Sequence, residues 1–481
     1  MSRPRNDTPW KTLDKDLGRI GRVELASRYV ARPLIGVGLA AAFIALAAVS
    51  GLGAAPMMIV AVAAALGAYM AINIGANDMA NNMGPAVGAK ALSMGGALAI
   101  AAVAETSGAL LAGGGVVATV AREIIDPAAI AEPGDFVLAM LAALAGAALW
   151  VNLATWIGAP VSTTHSVIGG VMGAGVAAAG LAAVNWSAMG AIAAAWVMSP
   201  VLGGVIAAGF LWLIKAQIVY REDRIAAARR WVPILIGIMA GAFAGYIRLL
   251  LGAPGGGAVA GVALGVGLVA WIAAIPQIER QSLGMENRAR SLKALFHAPL
   301  VLSAALLSFA HGANDVANAV GPVAAIVSAV GAGDGPDGDA PMWVMVIGAF
   351  GISLGLFLFG PRLVRLVGEQ ITRLNPMRAY CVALSAAVTV ILASALGLPV
   401  SSTHVAVGGV FGVGFFREWH TARRARHDAN AVPMVEDASE RRHRRLVRRS
   451  HFMTVLAAWV ITTPAAAALA AAIFTAGRLA R

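Results

Sequence analysis

Long apolar runs separated by short polar or Gly/Pro-rich breaks set the rhythm of this chain. They cover Leu34–Ser50, Pro56–Ile72, Phe136–Ile157, Ala188–Ile214, Trp231–Leu251, Val259–Ile275, Met342–Gly360, Tyr380–Leu396 and Phe452–Phe474. Each holds close to the ~20 residues that span ~30 Å of hydrocarbon. The pattern predicts an all-α, polytopic membrane protein. Counting crossings from loop to loop gives about 12–13 spans. That count leaves the C-terminus outside, where Arg478 and Arg481 fit poorly.

Composition agrees. The 481 residues are 59% hydrophobic and 12% charged, against roughly a quarter charged in a soluble domain. The 56 glycines suit helices that approach closely inside lipid, where packing replaces the hydrophobic drive. A lone cysteine, Cys381, excludes an intrachain disulfide.

A net charge of +12 could point to nucleic acid, but its placement argues for a bilayer and no nucleic-acid partner. Residues 1–32 carry eight Lys/Arg, 215–230 five, and 416–450 ten arginines. The loops 123–135 and 331–341 hold only acids: Glu123, Asp126, Glu132 and Asp135, then Asp334, Asp337 and Asp339. This is the positive-inside asymmetry. It places the N-terminus in the cytoplasm of a multi-pass cell-membrane protein, the bacterial inner membrane being expected. The basic start runs straight into a full-length span, so no cleavable signal peptide is expected.

The chain repeats itself. Gly75-Ala76-Asn77-Asp78-Met79-Ala80-Asn81 with Gly84-Pro85 returns 237 residues later as Gly312-Ala313-Asn314-Asp315-Val316-Ala317-Asn318 with Gly321-Pro322. Gly158-Ala159-Pro160-Val161-Ser162-Thr163-Thr164-His165 returns 239 residues later as Gly397-Leu398-Pro399-Val400-Ser401-Ser402-Thr403-His404. The loop charges have the two copies crossing in opposite directions, the inverted repeat of secondary transporters. The expected division is a basic cytoplasmic segment 1–32, an extra span 33–54 and a first repeat 55–214. A cytoplasmic stretch with a two-span hairpin follows over 215–295, then a second repeat 296–477 that includes the basic loop 416–450.

Ionisable residues at membrane depth are costly and mark function. Asp78 and Asp315 are such residues, flanked by Asn77 and Asn81 and by Asn314 and Asn318. The neighbouring Gly and Pro predict a helix break at each motif, freeing carbonyl oxygens beside the carboxylate. An oxygen-rich cage of this kind suits a hard cation such as Na⁺, or the acids hold protons. Pro160 and Pro399 suit a helix start. Ser162, Thr163, Thr164, Ser401, Ser402 and Thr403 would then offer hydroxyls beside free N–H groups and a positive dipole end, an anion site without Lys or Arg. Two buried aspartates repel an anion, so anion binding there predicts coupling to a cation. Glu105 lies in another apolar run and is a candidate for the path or the coupling. His165 and His404 are candidate proton carriers, although packing histidines are commoner.

At these residues the chain resembles the inorganic phosphate transporter (Pit) family of sodium- or proton-coupled symporters, over roughly residues 55–475. The resemblance implies cation ligands at Asn77, Asp78, Asn314 and Asp315, with Asp78 and Asp315 as sodium ligands in the sodium-coupled branch. It implies phosphate contacts from Ser162, Thr163, Thr164, Ser401, Ser402 and Thr403, with Asn81 and Asn318 nearby, and a transport role for Glu105. It also implies a homodimer. The strings Gly75–Leu92 and Glu105–Gly108 look more like the sodium branch; the Phe-His version of the first motif found in proton-coupled permeases is echoed only by His311. Many sodium-coupled members carry a second glutamate where this chain has Ala383.

The expected function is therefore a phosphate:cation symporter, using Na⁺ or H⁺, that works by alternating access. No cofactor is implied beyond the co-transported ion. A sulfate permease of the same fold is the alternative, since hydroxyls and amides alone do not separate the two oxyanions. An anion channel needs no acids beside its anion site. No metal-ligand spacing, nucleophile elbow or P-loop argues for an enzyme.

Overall fold

Inside hydrocarbon every backbone N–H and C=O must find a partner within the protein, and a helix does this locally. The computed structural model describes residues 40–46, 48–49, 57–157, 161–252, 256–288, 290–331, 340–370, 375–427 and 449–481. Among these residues there are helices and one isolated β-bridge, Ile125 to Val184. The basic segment 1–32, Pro160, Asp334, Asp337, Asp339 and the arginines of 428–448 lie outside the described residues, as does most of the expected extra span 33–54.

The long helices are α1 (Met57–Gly88), α2 (Met94–Ala112), α3 (Gly114–Arg122), α4 (Pro133–Ile157), α5 (Thr163–Ala179), α6 (Trp186–Ile214), α7 (Arg224–Leu250), α8 (Gly256–Ser282), α9 (His297–Ala329), α10 (Met342–Gln370), α11 (Pro376–Ala395), α12 (Ser402–His427) and α13 (Arg449–Leu479). Ten segments among the described residues are long and apolar enough to cross a membrane. The sequence count also includes α5 and α12. These two start at the Ser/Thr motifs, and α5 has only 17 residues.

Helices from the two copies are exchanged. The motif helix α1 packs on α10 and the other motif helix, α9, on α2; α5 packs on α13 and α12 on α6. Glycine permits the close approach. A Cβ on Gly75 would meet the Ile352 carbonyl of α10, and one on Gly312 would meet the Glu105 carbonyl of α2. Gly173 of α5 likewise faces Ala467 of α13, and Gly412 of α12 faces Gly204 of α6.

This packing corrects one expectation. Neither Asn-Asp motif breaks its helix: α1 and α9 run unbroken for 32 and 33 residues, with Pro85 and Pro322 inside them. The motif glycines serve a helix crossing instead of a bend. Each proline lacks only the N–H that the carbonyl four residues earlier would receive, so the release is confined to the carbonyls of Asn81 and Asn318. The interruption lies at the Ser/Thr motifs, between α4 and α5 and between α11 and α12. Pro399 lies outside regular structure ahead of the cap residue Ser401, not in the first turn of α12.

The hairpin of α7 and α8 is held by glycine-lined contact, Gly237 and Gly241 against Gly267 and Ala263. It leans on α9 through the rings of Phe243 and Tyr246 against Phe309. At the C-terminus, Arg478 and Arg481 reach Asp135 at 3.3 and 3.5 Å. That contact explains two arginines on the acidic side.

Candidate ion and phosphate site

The middles of α1 and α9 meet the starts of α5 and α12, and nearly every polar residue singled out from sequence is buried there. Asp78, Asp315, Asn314, Asn318, Glu105, Ser162, Thr163, Thr164, His165, Ser401, Ser402, Thr403 and His404 are all buried, and Asn77 and Asn81 are partly so. Ser162 caps α5 by accepting from the His165 N–H at 3.2 Å, and Ser401 accepts from the His404 N–H at 3.4 Å. Both residues are thus engaged as caps.

The two copies make matching bonds. Asn77 donates to Thr155 Oγ1 at 3.0 Å, and Asn314 to Ser394 Oγ at 3.0 Å. Thr163 donates to Asp78 Oδ2 at 3.2 Å, and Ser402 to Asp315 Oδ2 at 3.1 Å. Asn81 donates to Thr403 Oγ1 at 2.8 Å, and Asn318 to Thr164 Oγ1 at 3.1 Å. Hydroxyls and carboxylates read from sequence as separate phosphate and cation sets are one hydrogen-bonded cluster.

The match then fails at Asp78, which also accepts from Asn81 at 3.3 Å, a bond Asp315 lacks. Thr403 donates onward to Asp78 Oδ1 at 3.0 Å, whereas Thr164 donates to the Val400 carbonyl at 3.1 Å. The non-helical segment before α12 is pinned: Asn314 donates to the Leu398 carbonyl and accepts from the Val400 N–H, and Trp196 donates to the Pro399 carbonyl. Asn314 is therefore anchored to backbone on both sides of its amide.

His311 and Asn82 complete the cluster, and neither stood among the sequence candidates for it. His311 Nε2 lies 2.8 Å from Asp315 Oδ2 and 3.6 Å from Asp78 Oδ2, and its Nδ1 lies 3.3 Å from Glu105 Oε1. None of these approaches is aligned as a hydrogen bond. Asn82 donates to Glu105 Oε1 at 2.9 Å. The available signal was helical spacing: His311 precedes Asp315 by four residues and Asn82 follows Asp78 by four, so each pair shares a helix face. His165 and His404 pair with each other. Their rings meet edge to face at 4.4 Å, and His165 also packs on Trp196 at 3.8 Å.

Within this cluster, the buried carboxylate and amide oxygens Asp315 Oδ1, Asn318 Oδ1, Glu105 Oε2 and Asn82 Oδ1 have no hydrogen-bond donor. Orphaned acceptors are costly at this depth, and acceptors beside carboxylates suit a hard cation. Asp78, His311 and Asp315 offer ligand atoms within 4.8 Å of one another.

Comparison with known proteins finds relatives along most of the chain. The model of the phosphate transporter family matches residues 74–470. A Helicobacter pylori (strain J99) protein named "Putative phosphate permease" is 47% identical over 356 residues, 72% of this chain and 67% of that protein. A relative of the same description from Pyrococcus abyssi is 36% identical over 405 residues, 83% of this chain and 93% of the relative. The solved structure titled "The sodium-dependent phosphate transporter" superposes with a TM-score of 0.78 at 34% identity, covering 88% of this chain and all of that one.

Proposed function

The chain belongs to the phosphate transporter family, and on that premise we propose a sodium-coupled phosphate symporter in which cation binding frees hydroxyls to hold the anion. A polytopic membrane transporter, not an enzyme, follows from the family and the ten apolar helices. The observation that carries the coupling is the bonding of Thr163, Thr403 and Ser402 to Asp78 and Asp315. A hydroxyl has one proton to donate. While that proton goes to a carboxylate it is withheld from phosphate.

A Na⁺ ion on the carboxylate oxygens satisfies them and lets the hydroxyls turn. The N-termini of α5 and α12 then add backbone N–H groups and positive dipole ends beside the freed hydroxyls. Asp315 Oδ1 and Asn318 Oδ1, already without donors, are the readiest cation ligands; Asp78 takes up its ion as Thr163 and Thr403 turn away. Sodium is preferred to protons on the evidence of the sodium-dependent structural relative. Sulfate and channel readings have no observation of their own.

The same reading takes 55–214 and 296–477 as inverted repeats that rock about this site. Support comes from the exchanged packing of α1 on α10 and α9 on α2. The N-terminus is assigned to the cytoplasm of a bacterial inner membrane from loop charge, and a homodimer from the family resemblance. Radiolabelled phosphate uptake into proteoliposomes tests the function. Accumulation under a Na⁺ gradient at equal pH is expected; uptake driven by a pH gradient alone would refute sodium coupling.

A further inference from the structure

Asp78 and Asp315 accept matching bonds from Thr163 and Ser402, but the groups around them do not match. The 237-residue offset pairs His311 with Ile74 and Asn82 with Ala319, and the matching crossings of Gly312 on Glu105 and of Gly75 on Ile352 pair those two residues. The imidazole, the carboxylate and the amide meet on one side of the cluster, and three apolar side chains stand at the corresponding positions. All six are buried.

The imidazole stands among three carboxylates, with approaches of 2.8, 3.3 and 3.6 Å to Asp315, Glu105 and Asp78. Three carboxylates from three helices thus converge on one buried ring. Three buried carboxylates with no counter-charge would be prohibitive. Each needs a cation or a group in a cation's place.

We propose that His311 fills from within the protein a place that a further Na⁺ would otherwise take, and so limits the number of cations bound with each phosphate. Glu105 then faces the ring as its anchor, with Asn82 fixing the Glu105 carboxylate, and is not itself a Na⁺ ligand. The inference rests on the sodium reading of the acid cluster above. It makes His311 a stoichiometry-determining residue, and the apolar Ile74 side shows why only one such place exists.

Equilibrium binding of ²²Na⁺ to purified protein, counted per chain in saturating phosphate, tests it. His311→Ala empties the place and is expected to bind one more Na⁺ than the wild type. Glu105→Gln keeps the ring and is expected to bind the same number as the wild type, which decides the matter if His311→Ala does not insert. An unchanged or lower count in a monodisperse His311→Ala protein, or one ion fewer in Glu105→Gln, would overturn the inference while leaving sodium coupling intact. No Na⁺ bound by the wild type would refute the sodium reading itself, and the inference with it.

Discussion

Thr403, at the start of α12, donates its hydroxyl to Asp78 in the middle of α1 at 3.0 Å, across 325 residues of sequence. The bond joins a residue expected to hold phosphate to one expected to hold a cation, and it ties the second copy of the motif to the first. Coupling in this account is a competition for that proton.

Removing the proton should therefore weaken the anion more than the cation. Thr403→Val, nearly isosteric, is expected to raise the phosphate KM about 10–100-fold, the value of roughly 1.5–3 kcal/mol for one hydrogen bond to a charged group. The Na⁺ dependence should move much less. Thr164→Val should act in the same direction. Uptake kinetics at fixed Na⁺ and at fixed phosphate separate the two effects.

Asp78→Asn keeps the shape and removes the charge. Sodium-driven uptake is expected to vanish while the protein still inserts and elutes as a single species. Full activity in this variant would remove Asp78 from the mechanism.

Asn314 tests the anchoring of the non-helical segment. Its amide bonds Ser394, Leu398 and Val400. Asn314→Ala leaves buried backbone groups unpaired, at about 1–3 kcal/mol each. A lowered Tm in detergent together with lost uptake is expected. Retained stability with lost uptake would make Asn314 a ligand and not an anchor.

The glycines at helix crossings should tolerate nothing larger. Gly312→Ala sets a methyl against the Glu105 backbone, and overpacking of this kind costs about 1–3 kcal/mol. Gly190→Ala meets nothing within 4 Å and should leave the Tm unchanged or slightly raised. Thermal melts of the two variants side by side check both.

Sequence reading placed Asp78, Asp315 and the Ser/Thr motifs at the site because buried charge and repetition are visible in one dimension. It misjudged the Asn-Asp helices because a glycine that permits a crossing and one that permits a bend look alike until the crossing partner is known; for Gly75 that partner is Ile352. It passed over His311 as a site residue because the imidazole gains meaning only beside Glu105, which arrives from another helix. Asn82 lies just beyond the repeated motif, and its partner Glu105 comes from another helix. Interleaving of hydroxyls with carboxylates was equally invisible, since Thr403 and Asp78 belong to different copies.

Competition for the Thr403 proton is tested by the phosphate Kd of purified protein, measured without Na⁺ and at saturating Na⁺ at one pH. Release of the hydroxyls by the cation predicts at least about a tenfold tightening with Na⁺, roughly 1.4 kcal/mol of coupling, and by reciprocity the same factor for Na⁺ when phosphate is bound. Equal phosphate affinity with and without Na⁺ would contradict the account.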